Sequence, residues 1–432
     1  MSLRCVFVLL ALGCLPARGA DGPPLAGTKP LTVNGNFSSR MLDGIEKYLL
    51  RETTASVEAR KALWKRDFSS PEAYEKSVAP NRERFQRIIG VVDTRLPVTE
   101  LEYVGGTASP AEVARTQLYS IHAVRWPVLE GVDGEGLLLR PTGKPRACIV
   151  ALPDADQTPE MLAGLAPGIP AEGQFARRLA ENGCLVVVPM LIDRRDTHSG
   201  NPKFWMTNQP HREWVYRPAF ELGRHIIGYE VQKVLALVDW FGNARETKGR
   251  PIGVAGYGEG GLLALYSAAV DRRIGGAMVS GYFDSRQHLW EEPIYRNVFG
   301  LLREFGDAEI ASLVAPRPLV IEYSEVPKVN GPPAPEKGRR PYAAPGKLRT
   351  PSLEVIKAEV ERAKKLCPRQ GGFQPVFTLC AGESGKTIGP GSERAVVAFV
   401  RSLGRPLQCL GSLEPPPTDA RAKFDPDARQ HR

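Results

Sequence analysis

Only six histidines occur among the 432 residues, and none lies between His288 and His431. Chemistry that draws a histidine base from the late part of the chain is left with His431 alone, one residue from the C-terminus. The seven cysteines include no C-x-x-C spacing, so a thiolate zinc site has no ligand set and no metal is expected. Long apolar runs are missing after the first fifteen residues, so no transmembrane segment is expected. Basic residues outnumber acidic ones by 57 to 48, a formal net charge of +9. They are scattered and never alternate with aromatics as a nucleic-acid groove requires, so no nucleic-acid partner is expected. What is present, 42% hydrophobic and 24% charged residues, is ordinary for a globular protein and ample for a large core.

Arg4 gives a positive start, residues 5–15 are apolar but short, and Ala17-Arg18-Gly19 offers small residues for a cleavage site. Residues 1–19 therefore read as a bacterial signal peptide, and the mature chain as exported, periplasmic or extracellular. Ala11-Leu12-Gly13-Cys14 is a loose lipoprotein box, which keeps lipid anchoring as a secondary alternative. Past the signal, Cys148, Cys184, Cys367, Cys380 and Cys409 remain. Five is odd, so at least one is unpaired or joined to another chain.

Residues 20–36 are rich in Gly, Pro and Thr and read as a linker. Residues 37–116 read as an N-terminal helical region that either packs on the main domain or covers its mouth. Met41, Ile45, Tyr48 and Leu49 recur at helical spacing, as do Phe85, Ile88 and Ile89, and Ser70-Pro71 is a helix start. From 117 to 405 strands alternate with helices. The strands are expected at 119–124, 136–140, 147–152, 185–189, 252–255, 276–280, 319–323 and 375–380. The helices are expected at 173–182, 223–241, 261–270, 353–366 and 392–403. This predicts a mostly parallel eight-stranded sheet with an antiparallel start and helices on both faces. Residues 327–351, rich in Pro, Gly and basic side chains, read as a flexible solvated loop. Residues 406–432 read as a disordered tail.

Chemistry concentrates at Gly256-Tyr257-Gly258-Glu259-Gly260-Gly261, between an apolar strand and a helix. This is the setting of the nucleophile elbow G-x-S-x-G, but the serine position holds Gly258. A serine hydrolase on this frame needs Ser, then an acid, then His in chain order. The histidine is missing after the last strand, where Ala381-Gly382-Glu383-Ser384-Gly385 stands. Glu322 and Glu325, at the end of a strand, are candidates for the acid; surface charge is the plainer alternative.

The elbow frame, the run Leu313-Val314-Ala315-Pro316-Arg317-Pro318-Leu319 and the segment Val279-Ser280-Gly281-Tyr282-Phe283 resemble the α/β-hydrolase superfamily. They are most similar to its dienelactone-hydrolase and acetyl-xylan-esterase-like branches, and to exported hydrolase-like proteins of planctomycete bacteria. The resemblance covers roughly residues 117–403. It implies an α/β-hydrolase fold and, in active members, ester hydrolysis by a Ser–acid–His triad. Here the serine falls on Gly258 and the histidine near Ser384, so neither role carries over.

Four further constellations bear on function. Gly256-x-Gly258-x-x-Gly261 with Asp284 matches a dinucleotide fingerprint, although four or five strands precede it. The loop after 185–189 carries Asp193, Arg194, Arg195, Asp196, His198 and His211, and leads to His225 and Glu230. Arginine there suits a carboxylate or sugar ligand, and an internal salt-bridge network is the alternative. Asp154 and Asp156 stand where hydrolases build part of the oxyanion hole, and two acids oppose a developing oxyanion. Glu259, at the mouth of a helix, is placed as an acid or base, or simply as an N-terminal charge. The expectation is a hydrolase-like pseudoenzyme without ordinary serine-esterase activity or cofactor, binding a small-molecule or carbohydrate ligand. Pocket candidates are Asp154, Asp156, Arg195, Tyr257 and Ser280. The alternatives are an ester hydrolase with a different constellation, drawn from Glu259, Asp154, Asp156, His211 and His225, with Glu322 as a further catalytic candidate, and a nucleotide-binding protein.

Overall fold

The computed structural model of the chain describes residues 26–30, 32–106, 110–370 and 372–405. The expected signal peptide, part of the expected linker and the expected tail lie outside the described residues. Two compact units are present, one ending at Glu52 and the other running from Thr53. In the first, residues 37–52 open helix α1 (Phe37–Ala59). Its apolar side chains Met41, Ile45, Tyr48 and Leu49 are exposed.

In the second unit, helix α2 (Pro71–Ile88) starts as its sequence dictates. The Ser70 hydroxyl accepts the Ala73 N–H at 3.1 Å, and Pro71 occupies the first turn. Thirteen short or long strands follow among the described residues. They are β1 (Glu102–Tyr103), β2 (Glu112–Arg115), β3 (Tyr119–Leu129), β4 (Val132–Pro141), β5 (Cys148–Leu152), β6 (Leu185–Pro189), β7 (Gly200–Asn201), β8 (Trp205–Thr207), β9 (Ile252–Tyr257), β10 (Ile274–Ser280), β11 (Leu319–Glu322), β12 (Arg339–Arg340) and β13 (Phe377–Cys380). The helices among them are α3 (Pro159–Ala163), α4 (Phe175–Glu181), α5 (His211–Glu221), α6 (Ile226–Asn243), α7 (Glu259–Val270), α8 (Leu301–Glu304), α9 (Asp307–Val314), α10 (Leu353–Leu366) and α11 (Glu393–Ser402).

The main sheet runs β1-β3-β4-β6-β5-β9-β10-β11-β13, with β2 also paired to β3. Strand β4 is antiparallel to both neighbours, and β6 through β13 are parallel. Strands β5, β6 and β9 are wholly buried, as apolar strands covered on both faces must be. Alternate side chains feed two cores. One contains side chains of α6, α7, α9 and α10, the other side chains of α4 and α11. The order of the eight longer main-sheet strands is that of the α/β-hydrolase fold.

One difference from the sequence reading stands out. The sheet has ten strands, because β1 and β2 come from the region expected to be helical. At two and four residues they are too short to show an alternating pattern. The four described cysteines, Cys148, Cys184, Cys367 and Cys380, are buried and free, packing as small apolar side chains.

Helix α2 packs on the body away from the elbow. Arg82 donates to the carbonyls of Ala269 and Leu313, at the C-terminal ends of α7 and α9. Those orphan carbonyls need donors, and the contact lies a helix length from the start of α7. Over the elbow lies the segment 327–351 instead. It is a pinned strap. Asn208 donates to the Pro333 carbonyl at 2.8 Å and accepts the N–H groups of Tyr342 and Ala343 at 2.9 and 3.1 Å. Strand β12 pairs with β8, Arg339 reaches the Thr207 carbonyl at 2.8 Å, and Glu213 accepts the Ala344 N–H at 3.0 Å. Proline and glycine here remove regular structure while fixed polar contacts remain.

Asn208→Ala deletes three of these bonds and leaves their backbone partners unmatched, a local cost of about 1–3 kcal/mol. Hydrogen exchange should rise across residues 330–344 and stay low in β9 and β10. Unchanged strap protection would mean that Asn208 does not hold it.

Candidate functional site

The elbow backbone is intact. Tyr257 ends β9, Glu259 begins α7, and Gly258 between them has φ +59° and ψ −117°. Side chains avoid this conformation, which a strained nucleophile turn adopts. Close packing fixes the neighbouring glycines. A Cβ on Gly256 would stand 2.0 Å from the Gly260 carbonyl oxygen. A Cβ on Gly258 would stand 2.3 Å from Asp154 Oδ1 and 2.5 Å from Pro327 Cγ. The room a serine needs is therefore filled by a carboxylate and by the strap.

Asp154, just past β5, is buried. Its Oδ1 accepts the Glu259 N–H at 2.9 Å, and Arg194 donates to both of its oxygens at 2.5 and 3.0 Å. The backbone N–H of the residue after the nucleophile is one of the two oxyanion-hole donors on this fold. Here that donor is already spent on an internal anion. Burial alone would raise the Asp154 pKa, but the Arg194 guanidinium outweighs it and holds the carboxyl below its ordinary value.

Glu259 is fully buried and faces three guanidiniums. Arg296 Nε lies 2.7 Å from Oε1, Arg194 Nη2 lies 3.1 Å from it, and Arg212 Nη2 lies 3.5 Å from Oε2. Burial opposes the charge, yet Arg296, Arg212 and Arg194 together pull the carboxyl down to about 2. Arg212 also binds Glu230 through two bonds at 2.8 and 3.0 Å, and Arg296 binds Glu292 at 2.9 Å. Arg194 Nε donates to the Tyr295 hydroxyl at 2.9 Å. The polar loop thus forms an internal ion network joined to the elbow.

The other candidates are drawn elsewhere. Glu322, at the end of β11, accepts Ser280 Oγ at 2.5 Å and the N–H groups of Gly391 and Ser392, each at 2.8 Å. The loop that would bring the histidine therefore meets the acid with backbone donors. His225 is buried and caps α6. Its Nδ1 accepts the Ile227 N–H at 3.1 Å, and its Nε2 donates to the Asn297 carbonyl at 3.0 Å. Burial pushes it down to about 4. His211 Nδ1 lies 2.6 Å from Asp193 Oδ1, and its Nε2 accepts the His198 N–H at 2.9 Å. Arg195 also pairs with Asp193. Burial raises the Tyr257 pKa, and the ring lies against Gly281. Asp156 shares Arg194 with Asp154, at 2.9 Å.

Between this network and the strap lies a cavity of about 200 Å³, walled by Asp156, Arg194, Tyr295, Glu213 and residues 328–333 of the strap. Arg296 and Tyr295 had no signal in the sequence. They follow no motif, and only the fold brings them to Glu259. Among the described residues, no group of three or more His, Cys, Asp and Glu side chains is placed to hold a metal ion.

No protein-family model and no curated protein matches the chain. Solved structures similar to it include a glucuronoyl esterase from Solibacter usitatus, 13% identical, with 78% of this chain and 94% of that chain covered and a TM-score of 0.47. Acetyl xylan esterase 1 from Thermoanaerobacterium sp. is 12% identical, with 80% and 98% covered and a TM-score of 0.44. Methylesterase BT1017 is 13% identical, with 84% and 71% covered and a TM-score of 0.49. Likeness at this level carries no activity across; the strand order defines a hydrolase-like α/β protein by itself.

Glu259→Gln leaves three buried guanidiniums short of charge and should cost about 3–5 kcal/mol in chemical denaturation. The three arginines hold the wild-type carboxyl at about 2 in the folded protein, against an ordinary 4.5. Its contribution is whole above about 4.5 and is lost as the pH falls toward 2, so the wild-type advantage should shrink across that window. A constant difference between pH 5 and pH 2 would exclude this charge network as the cause.

His225 gives a second window. Burial keeps it neutral in the folded protein down to about 4, against an ordinary 6.5, so it lowers stability progressively as the pH falls from 6.5 to 4. His225→Asn keeps a capping acceptor and should flatten that part of the stability profile. An unchanged slope would mean that His225 does not titrate with unfolding.

Proposed function

We propose that this protein is an exported hydrolase-fold protein that does not perform serine-dependent acyl transfer and binds a small polar or carbohydrate ligand beneath its strap. The observation that carries the reading is the Asp154 carboxylate bound to the Glu259 N–H at 2.9 Å. It fills the space of a nucleophile and occupies an oxyanion donor at once. Loss of triad members costs about 10⁴ to 10⁶ in turnover even with the oxyanion hole intact; here one oxyanion donor is occupied as well. Glu259, held as an anion by three arginines, has no proton to give and no open face from which to take one. The same Asp154–Glu259 contact opposes the nucleotide-binding alternative, since it fills the helix N-terminus a pyrophosphate would need.

The cavity of about 200 Å³ supports the binding half of the reading. It has polar and apolar walls and suits a compact ligand. A non-serine hydrolase has one observation in its favour, the 2.6 Å Asp193–His211 pair. That pair lacks a nucleophile among its described contacts, and the imidazole acceptor is already used by His198.

A fluorophosphonate probe should not label the protein, and small acyl esters should not turn over. Gly258→Ser should remain inactive and lose about 1–3 kcal/mol of stability, because the new Cβ meets Asp154 and Pro327. Serine-dependent turnover in that variant would sink the proposal. Ester turnover by the wild type that vanishes in His211→Ala would favour the non-serine alternative.

A further inference from the structure

A second cavity, of about 520 Å³, lies away from the elbow between the β3–β4 hairpin, the end of β6, and helices α5 and α6. Its walls carry three kinds of chemistry. Trp214, on α5, is 41% exposed and lines the space with an aromatic surface. Asp133 and Glu135, on β4, bring carboxylates, and His198 and His211 bring imidazoles whose rings stack at 5.3 Å. Lys233, on α6, brings a cation.

The cations of this cavity differ in what they are free to do. Arg125 is held by Glu102 through bonds of 2.8 to 3.0 Å. His211 is held by Asp193 and by the His198 N–H. Lys233 is half-buried, and its ammonium has no hydrogen-bond or ion-pair partner among the described residues. Glu230 acts on it electrostatically, but that carboxylate is bound by Arg212. Burial lowers the ammonium below the ordinary lysine value, Glu230 opposes that shift, and Arg212 adds to it. A partly desolvated cation whose one interacting carboxylate is already bound to an arginine favours an anion brought from outside. The carboxylates on the β4 wall of the cavity accept hydroxyl groups, and an exposed indole offers a flat apolar face.

We propose that this cavity binds an anionic sugar, a pyranose carrying a carboxylate or a sulfate. Its acidic group lies at Lys233, its hydroxyls face Asp133 and Glu135, and its ring rests on Trp214. The site is separate from the cavity beneath the strap, so either can fail without the other.

The test titrates the full chain with glucuronic acid, glucose 6-sulfate and glucose, read by calorimetry and ligand-observed NMR. At least one acidic sugar should bind about tenfold or more tighter than glucose, and comparing the two identifies the acidic group. Lys233→Met should abolish that preference and Lys233→Arg should largely keep it. Trp214→Ala, at an exposed position where folding is little affected, should weaken the preferred sugar by about tenfold and gives an independent reading if the lysine variants fold poorly. Equal binding of glucose and both acidic sugars, no binding of any of the three, or full affinity in Trp214→Ala would overturn the proposal.

Discussion

The carboxylate of Asp154 at the start of α7 is the contact on which the rest of the site depends. A helix N-terminus presents unpaired N–H groups and partial positive charge, and an anion there is stabilised. Asp154 meets that need through the Glu259 N–H. It also brings a buried negative charge next to a second one, the side chain of Glu259 itself. Two carboxylates in such a place are tolerable only with cations between them. Arg194 touches both acids, and Arg296 and Arg212 complete the neutralisation. Each arginine then needs its other donors satisfied. Tyr295, Glu292, Glu230 and the Ile192 carbonyl take most of them, while Arg212 Nε and Arg296 Nη2 find no hydrogen-bond partner among the described residues. One anion at one helix end thus organises side chains from β5, the loop after β6, α5, α6 and the segment before α8.

That network changes what the cleft can offer. A hydrolase mouth is pre-organised to meet charge that develops during reaction. This mouth is already neutralised from within, and Pro327 of the strap closes over Gly258. The remaining space lies outside the ion network, between Arg194, Tyr295 and the strap. Binding energy there comes from shape and residual polar groups, with no preformed oxyanion donor at Glu259.

The parallel core was legible because strands such as Cys148–Leu152 and Leu185–Pro189 are uninterrupted apolar runs. Gly258 was legible because a backbone motif constrains residue types at fixed spacing. The partners of Glu259 were not. Arg296 lies 37 residues away and is brought in by a loop without periodicity. Helix α5 was read as loop because its charged side chains Arg212 and Glu213 are buried in ion pairs, which hides an apolar face. The expected helix 223–241 begins three residues later, since the His225 side chain caps it. The strap was misread because proline and glycine report missing regular structure, while Asn208 and Glu213 supply fixed contacts from far along the chain.

The docking of α2 carries a consequence for how the chain acquires its structure. Arg60 is paired with Glu309 across 249 residues, and Arg82 with the Leu313 carbonyl across 231. These contacts have high sequence separation, and such contacts close late because chain entropy must be lost before they form. Residues 60–88 leave the ribosome long before α9, which Arg60 and Arg82 both contact, has been made. Helix α2 is therefore among the last elements to dock. Until then Arg82, which will cap α7 and α9, stays in water, and the apolar face of α2 is open to whatever helper protein accompanies the unfinished chain.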